Sequence, residues 1–252
     1  MTNAQVTLIQ IDNYGPWTVT PEPRREVDLQ TLQSRLYADL AQLVGNREGY
    51  VFFTRFDNMI AVTNGMDEAD HALMQESVAN RYPVTVSFGV GVDPNPVDAL
   101  STATGHIQDA GSAQAADRTE ILRGATLDPD ERADDDVQIA HFDVNDATGK
   151  YTDQMNAFDS FIHIEQGYAE LMRYFRKAHD GLSFFVGGDN VIALAPDLDA
   201  AAYEDTVRHV QETAEVELKV GVGQAANAQT AGMAAKHALE DCRDDGDRVV
   251  ID

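Results

Sequence analysis

Apolar and polar positions along the chain predict a strand, helix, hairpin, helix, strand and helix, and then the same order again. Residues 5–11, Gln-Val-Thr-Leu-Ile-Gln-Ile, alternate and are β-branched enough for a strand, which Asp12 ends. From Arg24 to about Val44, apolar residues at 29, 32, 36, 40 and 43 keep helical spacing. Tyr50–Thr54 and Met59–Thr63 read as strands around the turn Arg55-Phe56-Asp57-Asn58. Residues 67–80 read as a helix, Tyr82–Val92 as a strand containing Gly89-Val90-Gly91, and Pro96 to about Ala110 as a helix closed by the loop Gly111–Gln114. Residues 13–23 are too rich in Gly and Pro for regular structure, so a long ordered loop is expected there; it holds the only tryptophan, Trp17.

An acidic stretch, 128–136, reads as a linker between domains spanning 1–127 and 137–252. Beyond it, strand 137–142 ends at Asp143, and the polar loop Val144–Lys150 leads into a helix running to about His179. Two apolar runs then flank Gly187-Gly188-Asp189-Asn190, a hairpin whose turn needs residues that tolerate positive φ. A helix over about 199–214, a strand Val216–Gly223, a helix from Ala228 to Arg243 and an edge strand Val249–Ile251 complete the order. Asp12 and Asp57 lie 45 residues apart, and Asp143 and Asp189 lie 46 apart. From the hairpin aspartate to the two glycines of Gly-Val-Gly the spacing is 32 and 34 in both halves. The expected fold is α+β, with two tandem ferredoxin-like βαββαβ domains related by internal duplication.

Hydrophobic content is ordinary, but 43 Asp and Glu against 18 Lys and Arg give a formal net charge of −25. Such a shell suits a high-salt cytoplasm, where ions screen its self-repulsion. It argues against nucleic acid as partner, since phosphate-backbone binding needs a basic footprint. The single cysteine, Cys242, excludes an intramolecular disulfide and any multi-cysteine zinc site, and the seven histidines show no metal-binding spacing. No basic-then-apolar leader opens the sequence and no run of 18 apolar residues follows, so a soluble, cytoplasmic protein without membrane contact is expected.

The charge leaves room for a small polyanion bridged by a divalent cation. Asp143 at a strand end and Asp189 in a hairpin turn would meet at the rim of one sheet, as would Asp12 and Asp57. Two carboxylates there suit Mg²⁺, which takes one or two protein carboxylates plus substrate phosphates. Gly187 and Gly188 would let phosphates approach the backbone, although Gly-Gly-Asp-Asn also makes a good turn with no ligand. Arg55 and Phe56 stand where the second half has the glycines, suited to stacking or charge contact. Arg24 and Arg25 open a helix where the dipole disfavours cations, so they either face an anion at the preceding loop or pair with Glu22 and Glu26.

A strand-end Asp with a hairpin Asp on βαββαβ resembles the palm of nucleotidyl cyclases, diguanylate cyclases and polymerases. The longer motifs Gln10–Pro21, Pro23–Glu26, Leu32–Leu40, Phe53–Asn58, Asn80–Pro83, Gly111–Gln114, Val137–His141 and Phe185–Asn190 together resemble archaeal-type GTP cyclohydrolase III over nearly the whole chain. That resemblance implies a hydrolase that opens the imidazole ring of GTP and releases inorganic phosphate. It also implies two Mg²⁺, K⁺ as activator and a homotetramer. Carried over, the metal and catalytic candidates are Asp143 and Asp189 with the Val144 carbonyl, and Asp12 with Asp57. The substrate-facing candidates are Gly187, Gly188, Asn190, Asn13, Tyr14, Arg55, Phe56, Arg24 and Arg25. A nucleotidyl cyclase or a non-catalytic GTP sensor would use the same carboxylates.

Overall fold

The computed structural model describes residues 3–115, 118–127 and 136–252. They fall into two compact units, one built on Asn3–Pro94 and the other on residues 136–252. The predicted linker lies outside the described residues except for Asp136.

In the first half the strands are β1 (Ala4–Ile11), β2 (Tyr50–Phe53), β3 (Asn58–Val62), β4 (Val86–Asp93) and β5 (Leu122–Arg123), in the order β2-β3-β1-β4-β5. The helices are α1 (Tyr14–Val19), α2 (Glu26–Gly45), α3 (Glu68–Arg81) and α4 (Pro96–Gln108). The second half has β6 (Val137–Val144), β7 (Leu182–Gly187), β8 (Asn190–Ala195), β9 (Leu218–Ala225) and β10 (Val249–Ile251), ordered β10-β9-β6-β8-β7. Its helices are α5 (Ala157–Ala178), α6 (Ala200–Ala214) and α7 (Ala228–Asp245). β1 and β6 are central and antiparallel to both neighbours, and a short parallel strand closes each sheet beside β4 or β9. This is an α+β chain with two copies of the ferredoxin-like βαββαβ order.

Each sheet buries one face under two helices. Leu32, Leu36 and Leu40 of α2 and Met74 and Val78 of α3 pack on Ile9, Ile11, Met59 and Phe88. Leu171 and Phe175 of α5 and Tyr203, Val207 and Val210 of α6 pack on Phe142, Val144, Val220 and Val222. The alternation of β1 and β6 puts the intervening side chains on the opposite face. There the repeated Gly-Val-Gly admits a helix at backbone contact: a Cβ at Gly89 would lie 2.1 Å from the Ala103 carbonyl oxygen, and one at Gly221 would lie 2.1 Å from that of Ala235. Side-chain caps start α3, α4, α5, α6 and α7, from Asp67, Asn95, Asn156, Asp199 and Asn227, each worth about 1 kcal/mol.

Three sequence expectations need correction. Residues 14–19 of the supposed loop are helical, because Pro16 sits in the first turn, where its missing N–H costs no hydrogen bond. Between β6 and α5 a π-helical turn, Thr148–Thr152, interrupts the predicted loop-to-helix passage. Strand β5 was not foreseen, since two residues carry no periodicity; it pairs with β4 as β10 does with β9.

The duplication holds, but the aspartates do not match as their spacing suggested. The central-strand residue opposite the hairpin asparagine is Gln10 in the first half, facing Asn58, and Asp143 in the second, facing Asn190. Asp12 instead matches Asn145: the Asp12 N–H donates to the Thr85 carbonyl and the Asn145 N–H to that of Glu217, each at the start of the next central pairing. A buried glutamine marks the same alignment, since Gln5 Nε2 donates to the Met66 carbonyl and Gln138 Nε2 to that of Leu198, both at 3.0 Å. A shift of two positions leaves side chains on the same face, so spacing could not detect it.

Replacing Gly221 with alanine should destabilise the second half by about 2–3 kcal/mol, because both atoms nearest the new Cβ are backbone. Denaturant unfolding at high salt measures it, and an unchanged midpoint would contradict the close contact of α7 with β9.

Candidate functional site

In the second half, β6 delivers Asp143 to the sheet rim and the β7–β8 turn delivers Asp189 beside it. The turn is Gly188-Asp189, with Gly187 at φ 118° and Gly188 at φ 66°, and a Cβ on Gly187 would meet nothing within 4 Å. The backbone there is open to an approaching group. Burial, then repulsion from Asp143, raises the Asp189 carboxyl above the usual aspartate range. Asp143 is 7 % exposed, and its Oδ2 accepts from Arg243 Nη2 at 2.8 Å.

Asn190 ties this rim together. Its Nδ2 donates to Asp189 Oδ1 at 3.1 Å, and its Oδ1 lies 2.9 Å from His141 Nε2, which therefore carries the proton. Burial is the main reason that His141 titrates below its ordinary value, so a neutral imidazole orients Asn190, which in turn holds the Asp189 carboxylate. Beyond the strand end, Glu217 accepts from Asn145 and from Lys150 Nζ, and these hydrogen bonds hold its carboxyl low.

The first half has the same frame with different chemistry. Asp12 is buried: Ser87 and Arg118 donate to its Oδ1 at 2.7 and 3.1 Å and Thr85 to its Oδ2 at 3.1 Å. The Asp12–Arg118 side chains are 1 % and 2 % exposed. Gln10 occupies the place of Asp143, donating to Asn58 Oδ1 at 3.1 Å. Asp57 pairs with Arg55 of its own turn at 3.1 Å, and Phe56, at φ 62°, stacks on Phe53 with centroids 4.5 Å apart. Where the second turn has glycines, the first has Phe56 against Phe53 and an exposed arginine on Asp57.

The other candidates also separate. Tyr14 accepts from Gln33 at 2.7 Å and packs beside the core. Asn13, left-handed at φ 54°, donates through Nδ2 to the Arg118 carbonyl at 3.3 Å. Arg25 pairs with Asp28 at 2.8 Å, and Arg24 lies over Trp17 at 4.1 Å; neither takes Glu22 or Glu26 as its partner. Arg243, His141, Arg118 and the Lys150–Glu217 pair were missed. They lie far in sequence from what they touch, and no local motif marks them.

As metal donors, Asp143, Asp189 and the Val144 carbonyl are hard oxygens on adjoining backbone, and a cation would favour the ionised Asp189 carboxyl, which burial and then Asp143 raise. Among the described residues no group of three or more acidic, His or Cys side chains gathers. Two carboxylates leave most of an octahedral shell to water or phosphate, which fits Mg²⁺ and not a closed zinc site.

Strand order and the repeated arrangement together define the class, a duplicated ferredoxin-like βαββαβ protein. Residues 6–251 match the family described as GTP cyclohydrolase III, and the chain belongs to that family. It is 74 % identical over 245 residues to GTP cyclohydrolase III of Natronomonas pharaonis, covering 97 % of each chain. It is 66 % identical over 244 residues to GTP cyclohydrolase III 1 of Halobacterium salinarum, covering 97 % of this chain and 96 % of that one. Among solved structures it is similar to a bacterial light-regulated adenylyl cyclase, at TM-score 0.42 and 10 % identity over 99 % of this chain and 85 % of that one. No described helix is long and apolar enough to cross a membrane.

Arg118→Met would leave Asp12 buried without its cation and should cost about 3–5 kcal/mol in denaturant unfolding. Pairing it with Asp12→Asn should recover much of that loss. Equal instability of the single and double variants would show that the pair is not what holds this rim.

Proposed function

We propose that this protein opens the imidazole ring of GTP to give 2-amino-5-formylamino-6-ribosylamino-4(3H)-pyrimidinone 5′-phosphate, with Mg²⁺ as cofactor and K⁺ as activator. One water opens the ring, adding at C8 so that the carbon stays as a formyl group. Two further waters cleave the two phosphoanhydride bonds, so both terminal phosphates leave as inorganic phosphate. Membership of the family supports the substrate; within the fold, the coupled carboxylates Asp143 and Asp189 beside an open glycine turn carry the assignment of the site.

Asp143, Asp189 and the Val144 carbonyl would hold the metal. When bound, Mg²⁺ supplies charge neutralisation and Lewis acidity at the phosphates. Gly187 and Gly188 give phosphate oxygens room against the hairpin backbone, and Asn190 on His141 keeps the Asp189 carboxylate aimed at the rim. Arg243 balances Asp143 while no other cation is near. Asp12 and Asp57 stand outside this assignment, because Gln10, an amide, holds the place of Asp143 opposite the hairpin, and Asp12 is buried on Arg118, Ser87 and Thr85.

Loss of the purine absorbance of GTP together with phosphate release, in Mg²⁺ and K⁺ at high salt, tests the reaction. Asp143→Asn and Asp189→Asn should each lower the rate by more than the roughly 10–100-fold that losing an outer-shell group costs. An unchanged purine with pyrophosphate released would make the protein a cyclase instead, and no change in either would leave a GTP-binding module.

Assembly into a homotetramer belongs to the same proposal. Phe158, Phe161 and Ile162 of α5 are 68 %, 51 % and 42 % exposed, an apolar row unusual on so acidic a surface. Phe158→Glu with Phe161→Glu should lower the mass seen by sedimentation at high salt, and a tetramer that survives both would place its contacts elsewhere.

A further inference from the structure

The rim of the second half already holds a cation. Arg243 stands in the last turn of α7, and its Nη2 donates to Asp143 Oδ2 at 2.8 Å while its Nη1 donates to Glu240 Oε1 at 2.6 Å. The Asp143 side chain is 9 % exposed and that of Arg243 is 43 % exposed, so the acid is held in the sheet and the arginine reaches it from the solvent side. Two features keep a seat for the guanidinium on its own helix: Glu240, one turn back, and the partial negative charge of the helix C-terminus. Asp189, by contrast, accepts from a neutral amide, that of Asn190.

The duplication ties this arginine to its acid. Gly89 and Gly221 meet the matching carbonyls of Ala103 and Ala235, and an equal count of residues onward brings Gly111 in the first half and Arg243 in the second. Where the central strand offers the amide of Gln10, the matching position has no side chain. Where it offers Asp143, that position carries an arginine.

A guanidinium keeps its charge at any working pH, and one tethered beside its acid competes with every cation that could bind there. Against a hydrated monovalent ion it has equal charge and a directed hydrogen bond. A divalent ion has twice the charge and makes short contacts to both carboxylates and to the Val144 carbonyl. The tethered cation therefore excludes the first and yields to the second. Such competition matters on a chain of net charge −25, which draws counter-ions to its surface.

We propose that Arg243 is a charge filter for the metal site, holding Asp143 against monovalent salt and giving way to a divalent ion while it keeps its bond to Glu240. The inference rests on the metal site proposed above, and it makes Arg243 a positioning residue that acts through Asp143.

Mn²⁺ is titrated without nucleotide into the full-length protein and followed by electron paramagnetic resonance, in choline chloride and in KCl at equal ionic strength. Choline is too bulky to sit between the carboxylates. In choline chloride Arg243→Gln should bind Mn²⁺ about 10-fold more tightly than wild type, because a charge-assisted hydrogen bond no longer has to be broken. Exchange into KCl should weaken the variant and leave wild type unchanged. Lys236→Gln, the same loss of charge at an exposed position of α7, should do neither. In the wild-type protein, Mg²⁺ should raise the rate at which phenylglyoxal modifies Arg243, read by peptide mass spectrometry. An unchanged modification rate, no gain in Arg243→Gln, an equal gain in Lys236→Gln, or equal weakening of variant and wild type by KCl would each overturn the filter. Asp143→Asn should lose the Mn²⁺: loss there leaves the metal site standing even if the filter fails, whereas unchanged binding there would remove the site and the filter together.

Discussion

The register of the central strand in each sheet decides what reaches the rim. Hydrogen bonds to both neighbours set that register, and a buried glutamine, Gln5 or Gln138, ties its outer end to the chain leaving the hairpin. Because strand side chains alternate with period two, this choice determines which residue stands next to the hairpin turn. In the second half it is a carboxylate, and in the first it is an amide. The metal chemistry proposed for one half and not the other rests on that single difference.

The duplicated frame has diverged by moving charge while keeping shape. At the strand end the first half has Asp12 against Thr85, and the second has Asn145 against Glu217, so the acid sits on opposite members of the same pair. Each acid then acquires a cation, Arg118 or Lys150. The Arg118 pair is almost fully buried, and removing one member of such a pair costs far more than the pair itself contributes. The Lys150 pair is partly exposed and screened, so it adds less.

Most of the acidic surface has no role in this geometry. Its charge concerns solubility and the ionic environment, while the interior runs on apolar layers and a few satisfied polar groups. The rim is the exception. Asp189 and Asp143 repel each other there in a partly desolvated place, and a bound cation would relieve that repulsion.

Much of the fold was legible because periodicity is local: alternating residues for β1 and β6, i+4 leucines for α2, and Gly-Val-Gly wherever a helix backbone meets a strand. Asp143, Asp189, Gly187 and Gly188 could be named from the sequence for the same reason, since a hairpin turn and a strand end are short-range features. Strand β5, the helix at Tyr14–Val19 and the roles of Arg118 and Arg243 could not. Each depends on partners distant along the chain: β5 exists only because β4 offers it an edge, and Arg118 becomes part of a site only where folding buries it on Asp12. Spacing alone matched Asp12 to Asp143, and only the hydrogen-bonded register, a tertiary property, separates them. The sequence by itself determined the repeat and the residue types available at the rim. The sheet decided which of those residues meet, because pairing between strands is chosen by the whole sheet and not by either strand alone.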